Sequence, residues 1–167
     1  AFIIAVFDCF ETLTNVENVT RGDRVTINDN SWILTLKIDS IKPELIIDSF
    51  TTIGHYLHIT CVHKIYIEKN VLIADKVYIS DNYHEYRNIN IPIKDQEVKW
   101  KKEVRIGTGT WIGENVSIVG CRIGKNCIVS ANSFVNKDVP DYCLVGGVPA
   151  KIIKKYNIKN GLWERVN

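Results

Sequence analysis

Aliphatic residues recur at every sixth position over much of the chain, most clearly between residues 104 and 148. In that segment they are Ile106, Ile112, Ile118, Ile123, Val129 and Val135, and a second column lies two residues earlier at Val104, Thr110, Val116, Cys121, Cys127 and Ser133. A period of six fits neither an α-helix, which repeats about every 3.6 residues, nor a half-buried strand, which repeats every two. The pattern therefore predicts a solenoid built from short repeats.

The phase of this repeat breaks after every third unit. The units group as 45/47, 51/53 and 57/59, then as 65/67, 71/73 and 77/79, and the repeat resumes at 104 after a long interruption. Fainter units at 25/27, 31/33 and 39/41 come before them. Three short strands and three corners would form one triangular coil of about eighteen residues, stacked on the next at about 4.8 Å. We therefore predict an all-β fold of triangular coils; the alternative, a sandwich of short strands, would alternate with period two.

The same pattern divides the chain, 1–167, into the parts of one predicted domain. Residues 1–24 lack the six-residue period and are predicted as lead-in strands, and residues 25–148 form the solenoid, with a protruding loop inserted at 81–103. Residues 149–167 are predicted as a short C-terminal helix and tail, because Pro149 suits a first helical turn and lysines suit a last one. Such a helix would cover the open end of the last coil.

Composition narrows the possible partners and compartments. The formal net charge of +2 does not indicate a nucleic-acid partner. Five cysteines at irregular spacing predict neither a disulfide framework nor a zinc site, so we expect a cytoplasmic location and no metal. The apolar run at residues 1–7 is too short to span a bilayer and lacks a basic flank. We therefore expect neither a membrane span nor a signal peptide.

Three segments resemble the hexapeptide-repeat acyltransferases, and within them the branch that acetylates bacterial cell-surface sugars. They are KNVLIADKVYISDNYHEY (69–86), VRIGTGTWIGENVSI (104–118) and SANSFVNKDVPDYCLVGGVPAKIIKKY (130–156), of which the last is the most specific. The resemblance implies a left-handed parallel β-helix, a homotrimer with active sites between subunits, and acetyl-CoA as the donor. The handedness comes from the resemblance alone, because crossovers between parallel strands are ordinarily right-handed.

His84 lies where the repeat stops and the loop 81–103 begins. A histidine in a loop is most often merely solvated, but the resemblance, through an Asp-x-x-His motif, implies that His84 is the catalytic base. The chemistry fits, because an alcohol needs a base to remove its proton as it attacks a thioester, and imidazole titrates near neutral pH. Asp81 matches the motif's acidic position and is expected to orient the imidazole. Glu85 is the other nearby carboxylate, and either carboxylate could equally be a solvated loop residue.

The resemblance also places the donor. It implies that acetyl-CoA lies in a groove between subunits. The residues expected to line this groove are Trp111, Gly113, Glu114, Ser130, Ala131, Asn136, Lys137, Lys151 and Lys154. Lys151 and Lys154 are expected to lie nearest the phosphates. Taken alone, the two lysines could be a solvated helix face and Trp111 a subunit contact. The sequence departs from the family pattern twice: Ile118 and Ile123 are five residues apart instead of six, and Glu114 replaces a residue that is often small.

The acceptor is expected to contact the inserted loop and the coil before it. The candidate residues combine polar and aromatic side chains that suit a sugar ring, and they are His58, Asn82, Tyr83, Glu85, Tyr86 and Gln96. The same side chains would suit other hydroxyl or amine acceptors.

The resulting hypothesis is direct acetyl transfer to a sugar hydroxyl in surface polysaccharide biosynthesis, with both substrates bound together. Acetylation of an amino sugar, of serine or of a xenobiotic remains open. A metal enzyme resembling the γ-class carbonic anhydrases is a poorer fit, because the closely spaced pair His58 and His63 precedes the third histidine instead of following it. A non-catalytic scaffold of stacked coils would leave His84 and the long loop without a role.

Overall fold

The computed structural model describes residues 18–166, which wind into a triangular solenoid of short strands. In chain order the strands are β1 (Val19–Arg21), β2 (Thr26–Ile27), β3 (Trp32–Thr35), β4 (Glu44–Ile47), β5 (Thr52–Ile53), β6 (His58–Cys61), β7 (Lys64–Ile67), β8 (Leu72–Ile73), β9 (Tyr78–Ser80), β10 (Asn82–His84), β11 (Val98–Trp100), β12 (Val104–Ile106), β13 (Trp111–Ile112), β14 (Ser117–Val119), β15 (Arg122–Ile123), β16 (Ile128–Val129), β17 (Phe134–Val135), β18 (Cys143–Gly147), β19 (Ala150–Asn157) and β20 (Leu162–Arg165). A short 3-10 helix spans Ile93–Asp95.

Three sheets form the sides of the triangle. Sheet 1 has the order β1-β4-β7-β12-β15, sheet 2 the order β2-β5-β8-β13-β16-β18-β19-β20, and sheet 3 the order β3-β6-β9-β14-β17. The chain passes from sheet 1 to sheet 2 to sheet 3 in each coil, and corresponding strands of successive coils pair in parallel. The predicted grouping of the repeats in threes is therefore confirmed.

The repeating aliphatic residues fill the inside of the triangle. Leu45, Ile47, Ile53, Ile59, Ile67, Ile79 and Ile106 are at most 1% exposed, and the cysteines of the second column, Cys121 and Cys127, are buried beside them. Burial raises the pKa of the Cys121 thiol to about 12, so this side chain is a protonated, small apolar group at neutral pH.

The corners need residues in the left-handed conformation, and only some of these are the expected small polar types. Asn70, Asn115, Asn126 and Asn132 have positive φ, as asparagine tolerates well. Phe50, Tyr56 and Lys76 adopt the same conformation at equivalent corners. The stacked coils therefore impose the corner geometry even on side chains that do not favour it.

The outer faces of the sheets differ in chemistry. On sheet 1, Arg105 forms an ion pair with Glu68 and Arg122 forms one with Glu103. On sheet 3, the outward positions of successive strands carry a column of mostly aromatic residues, which are Trp32, His58, Tyr78, Ser117 and Phe134. Sheet 1 thus has a surface suited to solvent, whereas sheet 3 presents rings.

The predicted C-terminal helix is wrong. Residues 150–157 form β19, which pairs antiparallel with β18, and β20 pairs antiparallel with β19 in turn. The period is two: Ala150, Ile152 and Tyr156 are half-buried, and Lys151 and Ile153 between them are exposed. Pro149 and the lysines favour a helix, but the two-residue alternation of half-buried and exposed side chains is typical of a strand. As a strand, the segment covers the last edge of sheet 2, which would otherwise offer unpaired backbone groups.

The predicted start of the solenoid also needs correction. β1 already pairs with β4 in sheet 1, so the coils include Val19–Arg21 and do not start at residue 25. The unit 39/41 is not a coil repeat, because Ile41 is 41% exposed and forms an isolated antiparallel bridge with Ile38. The lead-in strands predicted for residues 1–17 lie outside the described residues. Between residues 18 and 166, no helix is long and apolar enough to cross a membrane.

Candidate active site

His84 is the last residue of β10, on a hairpin that leaves the solenoid after β9. The hairpin leaves from the edge where the chain turns from sheet 3 to sheet 1, which we call the sheet 3–1 edge. β10 pairs antiparallel with β11, with His84 opposite Val98. The His84 side chain is exposed. Its imidazole forms no hydrogen bond with any residue in the range 18–166, so both ring nitrogens are accessible to a substrate.

The rest of the inserted loop is ordered by its own side chains. The Gln96 amide group donates to the carbonyl oxygens of Ile91 (2.8 Å) and Asn88 (3.0 Å). Tyr86, Ile89 and other residues of 86–96 line a cavity of about 480 Å³ at the tip. The predicted loop 81–103 is therefore a hairpin with a structured tip, and the Gln96 amide nitrogen is already used to hold that tip together.

Asp81 is fully buried at the base of this hairpin. Its carboxylate accepts backbone N–H bonds from Val62, His63 and Lys64 at 2.8–2.9 Å, and a side-chain N–H bond from Asn82 at 3.1 Å. None of its hydrogen bonds reaches the His84 imidazole. The carboxylate expected to orient that ring is thus bonded to the corner of the preceding coil.

Glu85 is also occupied by backbone. Its Oε1 accepts the N–H groups of Tyr86 (2.9 Å) and Arg87 (3.2 Å), and these bonds lower the pKa of the Glu85 carboxyl. The carboxylate therefore stays ionised and shapes the start of the loop. Neither of the two predicted partners contacts His84 in a single chain.

The aromatic acceptor candidates lie beside His84 on the hairpin. The Tyr83 and Tyr86 rings meet edge to face with centroids 6.3 Å apart, and the Tyr83 hydroxyl accepts a bond of 3.5 Å from Arg87. Asn82, in contrast, is buried and donates to the Thr60 carbonyl oxygen at 3.0 Å. Of the hairpin candidates, the two tyrosines have the exposure to meet an acceptor.

His58 lies on the outer face of sheet 3, between two rings that the sequence analysis did not select. It stacks on Trp32 with centroids 4.3 Å apart and meets Tyr78 edge to face at 5.0 Å. Burial lowers the pKa of His58, so the ring is neutral at neutral pH. The repeat could have indicated Trp32 and Tyr78, because they occupy the position equivalent to His58 in the preceding and the following coil.

Four of the donor-binding candidates lie on a second edge, where sheet 2 turns into sheet 3, which we call the sheet 2–3 edge. Gly113 and Glu114 follow β13, and Ser130 and Ala131 follow β16 in the next coil. A Cβ at Gly113 would lie 2.6 Å from the Ala131 nitrogen, so only glycine allows the two coils to approach this closely. The Glu114 carboxylate is exposed and pairs with Lys76 at 3.0 Å.

At the C-terminal end of the solenoid, the same edge carries Lys151. Lys151 pairs with Gly146, and Gly146 lies against Ser130. Trp111, on the outer face of sheet 2, is 49% exposed. The amino groups of Lys137, Lys151 and Lys154 form no ion pair within residues 18–166, so their charges are free for an anion.

Asn136 and Lys137 do not lie on this edge. They follow β17 and therefore belong to the sheet 3–1 edge, which also carries His84. The two edges are separated by the width of sheet 3, about five residue steps or roughly 16 Å at the rise of a strand. Within one chain, the predicted site residues therefore lie in two sets, one on each side of sheet 3.

The five-residue spacing after Ile118 is accommodated by Gly120. This residue has φ +54, donates its N–H to the Ser80 carbonyl oxygen at 2.8 Å, and lies against the Lys101 side chain. A tight left-handed turn thus replaces a longer corner, directly beneath the base of the hairpin. Within the described residues, histidine, cysteine, aspartate and glutamate side chains form no group of three that could hold a metal ion.

The known proteins that this chain resembles include several acetyltransferases. The chain is 39% identical over 168 residues to the putative lipopolysaccharide biosynthesis O-acetyl transferase WbbJ of Escherichia coli K12, covering 95% of this chain and 82% of that protein. A hexapeptide-repeat-containing acetyltransferase from Vibrio cholerae superposes with a TM-score of 0.70 at 26% identity, over 85% of this chain and 77% of that one. A galactoside acetyltransferase in complex with coenzyme A gives a TM-score of 0.60 at 26% identity, over 87% and 69%. No protein-family model matches the chain.

Proposed function

The chain belongs to the hexapeptide-repeat acyltransferase family, whose left-handed parallel β-helix it shares, and we propose that it transfers an acetyl group from acetyl-CoA to a sugar hydroxyl. The observation that carries the proposal is the exposed imidazole of His84, which an ordered hairpin holds at one edge of the solenoid and which forms no hydrogen bond within residues 18–166. The identity with an O-acetyl transferase of lipopolysaccharide biosynthesis supports a surface saccharide as the acceptor.

In the proposed reaction, His84 removes the proton of the acceptor hydroxyl as its oxygen attacks the thioester carbonyl carbon. The tetrahedral intermediate collapses, the carbon–sulfur bond breaks, and the imidazolium returns the proton to the departing thiolate, which leaves the acetyl ester and free CoA. Holding both substrates together makes a covalent acetyl-enzyme unnecessary. On the sheet 2–3 edge, the backbone N–H groups of Glu114 and Ala131 are the suitable donors for the developing oxyanion, because those of Gly113 and Ser130 bond to the next coil.

We further propose that the active protein is a homotrimer with each site between two copies. The His84 edge of one copy would face the Gly113 and Ala131 edge of its neighbour, which unites the two sets of residues that sheet 3 separates. Sheet 3 would then face the three-fold axis, and its aromatic column supports this orientation, because exposed rings are common at subunit contacts. In solution we expect a mass three times the 19.1 kDa of the chain, measured by light scattering. A monomeric mass for the active protein would contradict the shared site.

In this arrangement Lys137, Lys151 and Lys154 are the candidates for the CoA phosphates, because their amino groups form no ion pair with the residues that the structure describes. Tyr83 and Tyr86 are the candidates for stacking on the acceptor ring, since an aromatic face suits an amphipathic ring. We also propose that the protein acts in the cytoplasm, where acetyl-CoA is supplied.

The proposed function is tested by thiol release from acetyl-CoA in the presence of sugars, amino sugars and serine. We expect release to depend on a sugar acceptor, and the product to carry an ester that mild alkali removes. An alkali-stable amide product would instead identify an N-acetyltransferase. Release that depends on no acceptor in the panel would contradict acetyl transfer to a sugar.

A further inference from the structure

Asp81 occupies the point where the solenoid gives way to the hairpin, and its side chain binds backward to the preceding coil. The carboxylate accepts the N–H groups of three successive residues, Val62 at 2.9 Å and His63 and Lys64 at 2.8 Å. Other corner aspartates, such as Asp75, Asp138 and Asp141, each accept one backbone N–H. Asp81 therefore forms an unusually strong attachment for a corner residue of this fold.

The main chain of Asp81 binds forward, to the returning strand of the hairpin. Its carbonyl oxygen accepts the N–H of Lys101 at 2.8 Å and that of Lys102 at 3.4 Å. One buried residue thus connects the preceding coil with both strands of the hairpin. His84 is only three residues away, at the end of the first of these strands.

Two neighbouring contacts reinforce the same junction. The Asn82 amide group donates to the Thr60 carbonyl oxygen at 3.0 Å. On the returning strand, the Trp100 ring stacks on His63 with centroids 4.6 Å apart. The corner 60–64 therefore holds the outgoing strand through Asp81 and Asn82, and the returning strand through Trp100.

We propose that Asp81 is a positioning residue that acts on His84 through the backbone. It fastens the hairpin to the corner 60–64 and does not contact the imidazole. This inference rests on the proposed role of His84. A misplacement of about 1 Å in a reacting group can lower a rate by about 10²-fold, so a loosened hairpin base is sufficient to impair catalysis.

The test is Asp81→Asn, which keeps the size of the side chain but replaces one acceptor oxygen with a donor NH₂ that faces backbone N–H groups. We expect kcat to fall about 10- to 100-fold, with the KM for acetyl-CoA little changed because Gly113, Ala131 and Lys151 lie on the other edge. Amide hydrogen exchange should show lost protection at Lys101 and at Glu85, whose N–H bonds to the Glu97 carbonyl oxygen.

Asp141→Asn is the matched control, because Asp141 also accepts a corner N–H but lies on the edge between sheets 1 and 2, away from His84. Trp100→Leu removes the contact between the returning strand of the hairpin and His63. This variant tests the same inference if Asp81→Asn does not fold. If both act by loosening one hairpin, their effects on kcat will be less than additive in the double variant.

Protection retained at Lys101 and Glu85 in Asp81→Asn would overturn the inference, as would an unchanged kcat or an equal fall in Asp141→Asn. A kcat lowered by Asp81→Asn and untouched by Trp100→Leu would instead indicate direct action on the ring, and would overturn it too. If the unaltered protein transfers no acetyl group to any acceptor, the proposed function fails, and the exchange measurement alone decides whether Asp81 fastens the hairpin.

Discussion

Replacing His84 with alanine is expected to lower kcat by about 10²–10⁴-fold, the usual contribution of a positioned general base. Without the imidazole, the acceptor hydroxyl must attack while still protonated, and the departing thiolate has no proton donor. The side chain is exposed and forms no hydrogen bond within the described residues, so its loss should leave the coils, the proposed trimer and acetyl-CoA binding intact. The measurement is the initial rate of thiol release at saturating donor and acceptor.

The matched control is His55→Ala. His55 lies on the sheet 2–3 edge two coils before Gly113, and we place it in neither half of the site. We expect this variant to keep the full rate. A His84→Ala protein of nearly unchanged rate would eliminate the general-base role, whereas loss of acetyl-CoA binding in that variant would point to a structural role.

A second large effect is expected for stability, from two neighbouring isoleucines of β4. Ile47 is 0% exposed inside the triangle, whereas Ile46, the next residue, points out from sheet 1 and is partly exposed. Ile47→Ala should lower the free energy of unfolding by about 2–5 kcal/mol, because it removes buried methyl groups and leaves a cavity. Ile46→Ala removes the same atoms from a half-buried position and should cost about 1 kcal/mol.

Chemical denaturation of both variants at one protein concentration makes the comparison, because the stability of an oligomer depends on concentration. The two variants have the same composition, so the difference between them reports burial alone. Equal losses would contradict a prism whose interior is lined by the repeating aliphatic column.

The sequence was sufficient to predict the coils because their core is a strict repeat. Each aliphatic position, such as Ile47, Ile53 or Ile59, meets its equivalent one coil later, so one period describes both the chain and the packing. The failures lie where the repeat ends. At the C-terminus, Pro149 and the lysines are compatible with a helix, and only the open edge of sheet 2 decides in favour of strands.

The geometry of the candidate site was harder to predict from the sequence, for a different reason. A motif can mark His84 and Asp81 together, but it does not say that the Asp81 carboxylate faces the preceding coil. That contact joins residues about twenty positions apart, across one coil of the solenoid. In the same way, a linear list of donor-binding candidates does not show that Asn136 and Gly113 lie on different edges. These relations depend on how the coils stack, and the period alone leaves them undetermined.

The most direct test of the shared site is to mix two inactive variants. His84→Ala keeps the sheet 2–3 edge, and Ala131→Trp, at an exposed position, keeps His84 but fills the groove. Subunits of the two proteins, unfolded together and reassembled in equal amounts, would form one intact site at about a quarter of the interfaces in a cyclic trimer. We therefore predict recovery of about a quarter of the unaltered rate from two proteins that are each inactive. Mixed trimers that form but recover no activity would contradict a site built from two copies.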